Sequence, residues 1–317
     1  MSESTWPELQ PALACLADLT TADRFEKRKQ LDRLLQSVPR SNEAETLTLL
    51  WPELTKWTTS AIEAVREKTI ALAQELLVMY SDLSVQAFSL AYDRLCGDAY
   101  VEPVEEVRLS WFALVLTVCK KSKVDINQAL QLVQAAIADR NPDLQRHASE
   151  LLLVLVQHDP SQLALTGDKP MTLALALLSH KHTAIRTSAL EAARAIGLAV
   201  PAHVSALNKE ETMALVFDAS PAVRALICHV AGDLLTHISD QHLDTAKPRF
   251  FAILLTGACD PVDLVSQAAE EELQRLGEKY DKSCNKDTDV LPVVLRRCDA
   301  RCRSCVRRTA GPGSPEY

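Results

Sequence analysis

The stretch Asp218-Ala219-Ser220-Pro221-Ala222-Val223-Arg224 decides how the rest of the chain reads. Its parts are those of a helix start. An aspartate ahead of a helix accepts hydrogen bonds from main-chain N–H groups that have no acceptor inside the helix. A proline in the first turn costs nothing, because the N–H it lacks would have been unpaired. Val223 then points into a core, and Arg224 is placed to reach sideways. Asp139-Arg140-Asn141-Pro142-Asp143-Leu144-Gln145 repeats the order with glutamine in the last place, and Asp260 opens a third, altered copy that ends in Val265-Ser266.

Outward from that stretch, an aliphatic residue followed by arginine or a polar substitute recurs as Val65-Arg66, Val107-Arg108, Leu144-Gln145, Ile185-Arg186, Val223-Arg224 and Val265-Ser266. The second members lie 42, 37, 41, 38 and 42 residues apart, and Lys27 fits as an earlier member. Two markers held in one phase at a period near forty residues signal stacked two-helix units. The Asp-x-x-Pro-x-Val-Arg turn is similar to that of HEAT repeats, in which the arginine bonds neighbouring turns from unit to unit. On this reading Arg66, Arg108, Arg186 and Arg224, with Asp139, Asp218 and Asp260, form a structural ladder.

The apolar spacing of each unit predicts an antiparallel pair. First helices are expected over 6–19, 43–57, 82–96, 125–138, 170–179, 208–217 and 246–258. Second helices are expected over 23–37, 62–79, 103–119, 142–157, 183–198, 221–238 and 262–280. The fold class is all-α: an α-solenoid of about seven HEAT-type (ARM-like) pairs in a right-handed superhelix, a curved rod of about 65 Å with second helices on its concave side. The units run 6–37, 43–79, 82–119, 125–157, 170–198, 208–238 and 246–280. Residues 281–317 are a basic Cys/Arg-rich tail, either unstructured or the stub of a truncated eighth unit. Composition agrees: the eight glycines are too few for the turns of a strand-rich fold.

The net charge of −8 divides unevenly, with roughly +4 from Arg296 onward and so roughly −12 before it. An acidic body argues against nucleic acid, which needs a basic stripe. No apolar run exceeds six residues, the length of Leu151–Val156 and Leu173–Leu178, which is far too short to span a membrane, and Met1–Gln10 lacks the pattern of a signal peptide. Scattered cysteines such as Cys15, Cys96, Cys119, Cys228, Cys259 and Cys284 read as buried thiols of a reducing compartment. A cytoplasmic protein is expected.

No catalytic constellation emerges. Cys298, Cys302 and Cys305 have the Cys-x3-Cys-x2-Cys spacing of a radical-enzyme iron–sulfur loop. Only twelve residues follow Cys305, however, whereas that loop opens a barrel. Four-thiolate zinc with Cys284 lacks a second close pair. HEAT-repeat di-iron hydroxylases draw ligands from His-Glu dipeptides, and none occurs; nor does a phosphate loop or a nucleophile elbow. No metal or cofactor is expected. His180 and His182, on a short inter-helix turn, read more readily as an exposed loop than as metal ligands. With Lys181 and Tyr100 they are the candidate partner-binding residues. His229 and His237 are expected to pack in the core or a groove, and Trp51 and Trp57 to anchor the core.

The stretch Leu177-Leu178-Ser179-His180-Lys181-His182-Thr183-Ala184-Ile185-Arg186, continuing through Ala189, Glu191, Ala192 and Ile196, resembles a unit of the HEAT-repeat dynein axonemal assembly factor family, the fifth of that series. Phe217-Asp218 through Pro221, Val223-Arg224 and Gly232 to Leu234-Leu235 resembles the next unit, and Asp260 to Gly277 the one after. The resemblance covers about residues 105–280. It implies a non-catalytic cytoplasmic scaffold for preassembly of inner and outer axonemal dynein arms for motile cilia, acting with dynein intermediate and heavy chains and chaperones. A TOG-like tubulin-binding array is the rival, although Asp139, Asp218 and Asp260 give its turns the wrong charge for acidic tubulin. Another HEAT adaptor, karyopherin-like or phosphatase-scaffold-like, is a further alternative.

Overall fold

The computed structural model describes residue 29 and residues 51–80, 83–98, 101–207, 209–243 and 245–283, and among these it contains helices and turns but no strand. The chain divides into two compact units, Met1–Leu173 and Ala174–Tyr317. Apart from residue 29, the first expected pair lies outside the described residues, as do the tail cysteines and Tyr100.

In the first unit, the described part of one first helix, α1 (Trp51–Trp57), is followed by α2 (Glu63–Met79), then α3 (Ser84–Leu95) with α4 (Glu105–Lys121), and α5 (Ile126–Ala138) with α6 (Pro142–His158). Each pair closes on itself, and α2, α4 and α6 stack in that order. A short α7 (Pro160–Ala164) follows, and α8 (Lys169–Ala176) spans the point of division. The helix starts carry local causes. Asp125 accepts from the N–H groups of Asn127 and Gln128, and Asn141 from those of Asp143 and Leu144, with Pro142 in the first turn. Glu105 and Glu106 open α4 and Lys120 and Lys121 close it, the signs that the helix dipole favours.

In the second unit, α9 (Thr183–Ala199) is followed by a 3-10 segment (Pro201–Leu207), then α10 (Glu210–Ala214) continued by 3-10 residues Leu215–Phe217. Next come α11 (Pro221–His237), the single turn α12 (Asp240–Leu243), α13 (Lys247–Gly257) and α14 (Asp263–Ser283). Here α9 packs on α11 and α11 on α14, with α13 against both α11 and α14. The helix expected over 208–217 is thus a broken element, and α14 runs past the expected end at 280.

The cores hold the apolar stripes, with Trp57, Trp111, Phe112 and Phe250 among the largest enclosed side chains. Burying each aliphatic or aromatic side chain of this kind contributes roughly 1.5–3 kcal/mol. Several expectations need correcting. Trp51 is only half-buried, unlike Trp57. Cys119 and Cys228 are buried, but Cys259 is exposed and Cys96 is intermediate. His229 and His237 do not pack in the core. His229 meets Glu272 at the surface, and the exposed His237 faces the Asp233 carbonyl on its own helix.

Gly232, in the middle of α11, has a packing reason. A Cβ built there would overlap the carboxyl group and Cγ of Glu272 on α14, which His229 and Arg275 hold in place. Alanine normally stabilises a helix interior by about 1 kcal/mol over glycine. Gly232→Ala is expected to do the reverse and destabilise by about 1–3 kcal/mol. Urea unfolding followed by circular dichroism would read the sign.

Candidate protein-binding site

The turns that join first to second helices are organised by arginine. Arg66 bonds both carboxylate oxygens of Glu102 at 2.8 Å and donates through Nη1 to the Ser60 carbonyl. Arg108 meets Asp139 at 2.8 and 3.3 Å, and its Nη1 reaches the Glu102 carbonyl. In the second unit Arg186 grips Asp218 at 2.7 Å through both nitrogens and donates to the His180 carbonyl. Arg224 grips Asp260 at 2.7 and 3.0 Å and donates to the Asp218 carbonyl. Each guanidinium therefore ties the carbonyl six residues behind it to the acid of the following turn. The two parallel N–H···O bonds are the strong form of this contact.

Each acid has a second duty. Oδ1 of Asp139 accepts the N–H of Asn141 at 2.9 Å, Asp218 that of Ser220 at 2.8 Å and Asp260 that of Val262 at 2.9 Å, while Glu102 accepts that of Val104. The bond goes to the residue just ahead of the helix and leaves the N–H groups of the first turn alone. In α6 those fall to Asn141. Gln145 keeps the backward bond, to the Asp139 carbonyl at 2.9 Å.

His180 stands six residues before Arg186, in the position that Asp218 holds before Arg224. Its Nδ1 accepts the His182 N–H at 3.1 Å, reproducing the aspartate's bond with a neutral acceptor. His180 is thus a turn-forming residue. Burial, with help from His182 and Lys181, lowers its pKa below the ordinary value. Lys181 and His182 are exposed beside it. On the adjoining turn, joined by the Arg186–Asp218 pair, Phe217 is 80% exposed. In the sequence the apolar character of Phe217 points to a core position, with no signal that it faces solvent.

A second set of contacts links second helices. Lys121 Nζ donates to the Leu77 carbonyl at the end of α2, and Lys279 to the Leu235 and Thr236 carbonyls at the end of α11. Both lysines stand thirteen residues beyond the marker position, at Arg108 and Ser266, so repeat register alone could have found them. They supply the positive charge that a helix C-terminus favours. A pocket of about 280 Å³ in the first unit is lined by apolar residues such as Leu95, Phe112 and Leu132. Its charged groups, Glu102, Arg108 and Asp139, are all committed to the turn pairs. Among the described residues no three His, Cys, Asp or Glu side chains converge as metal ligands would. No helix among them is long and apolar enough to cross a membrane.

These helix pairs, linked turn to turn by arginine and acid, define the class: the chain is an α-solenoid. Its fold is similar to the crystal structure of a mutant Kap121p, with a TM-score of 0.51 at 16% identity over 88% of this chain and 34% of that one. A designed armadillo repeat protein aligns over 71% of this chain at 14% identity with a TM-score of 0.49. The family model described as dynein axonemal assembly factor 5-like, TPR repeats, matches residues 18–289, and the chain belongs to that family. Its spacings of 37–42 residues exceed the usual TPR period of about 34. The dynein axonemal assembly factor 5 of Drosophila melanogaster is 26% identical over 253 residues, 71% of this chain and 29% of the relative. That of Xenopus laevis is 22% identical over 203 residues, 61% of this chain and 23% of the relative. The chain therefore spans less than a third of the length of these relatives.

Two stability measurements test the turn network. Arg66 and Glu102 are 5% and 0% exposed, so Arg66→Met alone strands a buried carboxylate. Its expected cost is about 3–5 kcal/mol, and the double variant with Glu102→Leu should recover most of it in urea unfolding. The acids also set a pH dependence. Burial pushes the Asp139 and Asp218 carboxyls up, but the Arg108 and Arg186 contacts together with main-chain N–H bonds outweigh it and hold both below the ordinary value; for Asp260 the Arg224 bond is the largest cause of the same lowering. Groups with depressed folded pKa values contribute stability above the unfolded pKa, which is lost as pH falls through the folded one. Melting temperature should therefore dip slightly below about pH 6.5, where His180 titrates in the unfolded chain, and drop steeply below about pH 4. His180→Asn should remove only the first step.

Proposed function

We propose that this chain is part of a non-catalytic scaffold that works in the cytoplasm to preassemble inner and outer axonemal dynein arms for motile cilia, holding dynein intermediate and heavy chains with chaperones. The match of residues 18–289 to the dynein axonemal assembly factor 5-like family carries this reading. The helix-pair array supports it physically, since such arrays bind through long surfaces and many modest contacts. The acidic body would complement basic or mixed-charge segments of those chains.

A tubulin-binding reading draws support from one observation, the exposed Phe217 on a turn beside Lys181 and His182. It is weakened because the turn arginines Arg108, Arg186 and Arg224 are bound to acids.

Affinity capture of the tagged chain from differentiating multiciliated cells, read by mass spectrometry, should recover dynein intermediate or heavy chains and chaperones. Recovery of no dynein chain, together with co-sedimentation of the purified chain with microtubules, would transfer the assignment to the tubulin reading.

A further inference from the structure

The second unit holds a group of ion pairs that the repeat does not require. On α11, Asp233 accepts from Arg194 of α9 and, at 2.7 Å, from Arg275 of α14. Arg275 also meets Glu272 on its own helix, and Glu272 lies 2.9 Å from His229 Nδ1 on α11. The bonds form one line across three helices: Arg194, Asp233, Arg275, Glu272, His229. Burial raises the Asp233 carboxyl pKa, but the Arg275 and Arg194 contacts outweigh it and keep the group ionised.

The line differs from the turn pairs in three respects. It is not periodic. The position nine residues after the marker carries Asp233 and Arg275 here, but Glu75, Thr117, Val154 and Ala195 in the earlier units. It is layered. The side chains of Asp233 and Glu272 are 8% and 9% exposed, whereas those of Arg194, His229 and Arg275 are 43%, 43% and 39% exposed. The surface therefore shows two guanidinium groups and an imidazole, and the acids lie beneath. It is also incomplete. The bonds use Nε and Nη2 of Arg194 but only Nη2 of Arg275, and Arg275 Nε is buried without an acceptor. Nη1 of both arginines and Nε2 of His229 are uncommitted among the described residues.

Burying two carboxylates under two guanidinium groups and an imidazole gives little net stability over an apolar packing of the same volume. The fold nevertheless makes room for it, since Gly232 supplies the space in which the Glu272 carboxyl sits. What the arrangement does supply is two part-exposed guanidinium groups held in place by the acids below, each with an Nη1 that those acids do not use. Guanidinium groups recognise carboxylates. The surroundings are mixed, because Glu191 and Glu271 are exposed one turn from Arg194 and next to Glu272. Such a surface selects spaced acidic side chains and repels a dense polyanion.

We infer that Arg194 and Arg275 form a receptor for an acidic peptide segment, whose Asp or Glu side chains dock across α9, α11 and α14. This deepens the scaffold reading by naming the chemistry of one partner segment. It also gives an acidic protein a place to hold an acidic partner.

Fluorescence anisotropy of the full chain with a short labelled peptide of alternating glutamate and alanine tests the idea. Binding at low salt that weakens as salt rises is expected. Arg194→Gln, which leaves Asp233 paired with Arg275, should weaken binding at least about fivefold. Lys209→Gln, a change at another exposed cation of the same unit, should leave it unaltered. Hydrogen exchange on the unmodified chain with bound peptide, which needs no variant to fold, should show added protection in α9, α11 and α14. No binding, equal loss in both variants, protection elsewhere, or equal affinity for a single-stranded oligonucleotide would each overturn the proposal. Dynein chains captured normally by Arg194→Gln alongside a failed peptide experiment would remove this receptor and leave the scaffold reading in place.

Discussion

The fork between an arginine at the start of one second helix and the acid of the following turn is the contact on which both units depend. A two-helix pair exposes an apolar face on each side and cannot be stable by itself, so neighbouring pairs must meet in a fixed register. Apolar packing is non-directional and tolerates sliding by a turn. A guanidinium bonded to a carboxylate through two parallel N–H groups does not, since either end would be left charged and unpaired. The same guanidinium holds the carbonyl six residues behind it, so it braces its own turn while fixing the next.

That constraint explains which residues can vary. Arg66 faces a glutamate and the later arginines face aspartates, yet the fork geometry survives because Glu102 also takes the N–H two residues on. Gln145 and His180 are members of the pattern without a formal charge at neutral pH, and each retains the bond inside its own turn. At 16% identity the chain still shares the fold of Kap121p.

Against this periodic network, the line from Arg194 to His229 stands apart. Its acids are as buried as those of the turns, but they brace the middles of helices that apolar side chains already hold together. Gly232, a residue that helix propensity disfavours, is kept at the one place where a methyl group would displace Glu272. In some proteins such buried polar groups are retained for specificity more than for stability.

The phase of the helix pairs and most residues of the turn network, Glu102 excepted, were legible in the sequence, because each rests on neighbours within a few positions and on a marker repeated near every forty residues. So was the family, through the turns from Ser179 to Arg186 and from Phe217 to Arg224. Only the tertiary structure decided what each arginine holds, since acids 31 to 36 residues away are selected by how one pair seats on the next. It likewise decided that His180 stands in for an aspartate, that Phe217 faces solvent and that Asp233 lies under two arginines. Periodicity records which side of a helix is apolar. It carries no record of which polar side chains from three different helices arrive at one point, because that depends on the spacing and rotation of helices that local sequence does not encode.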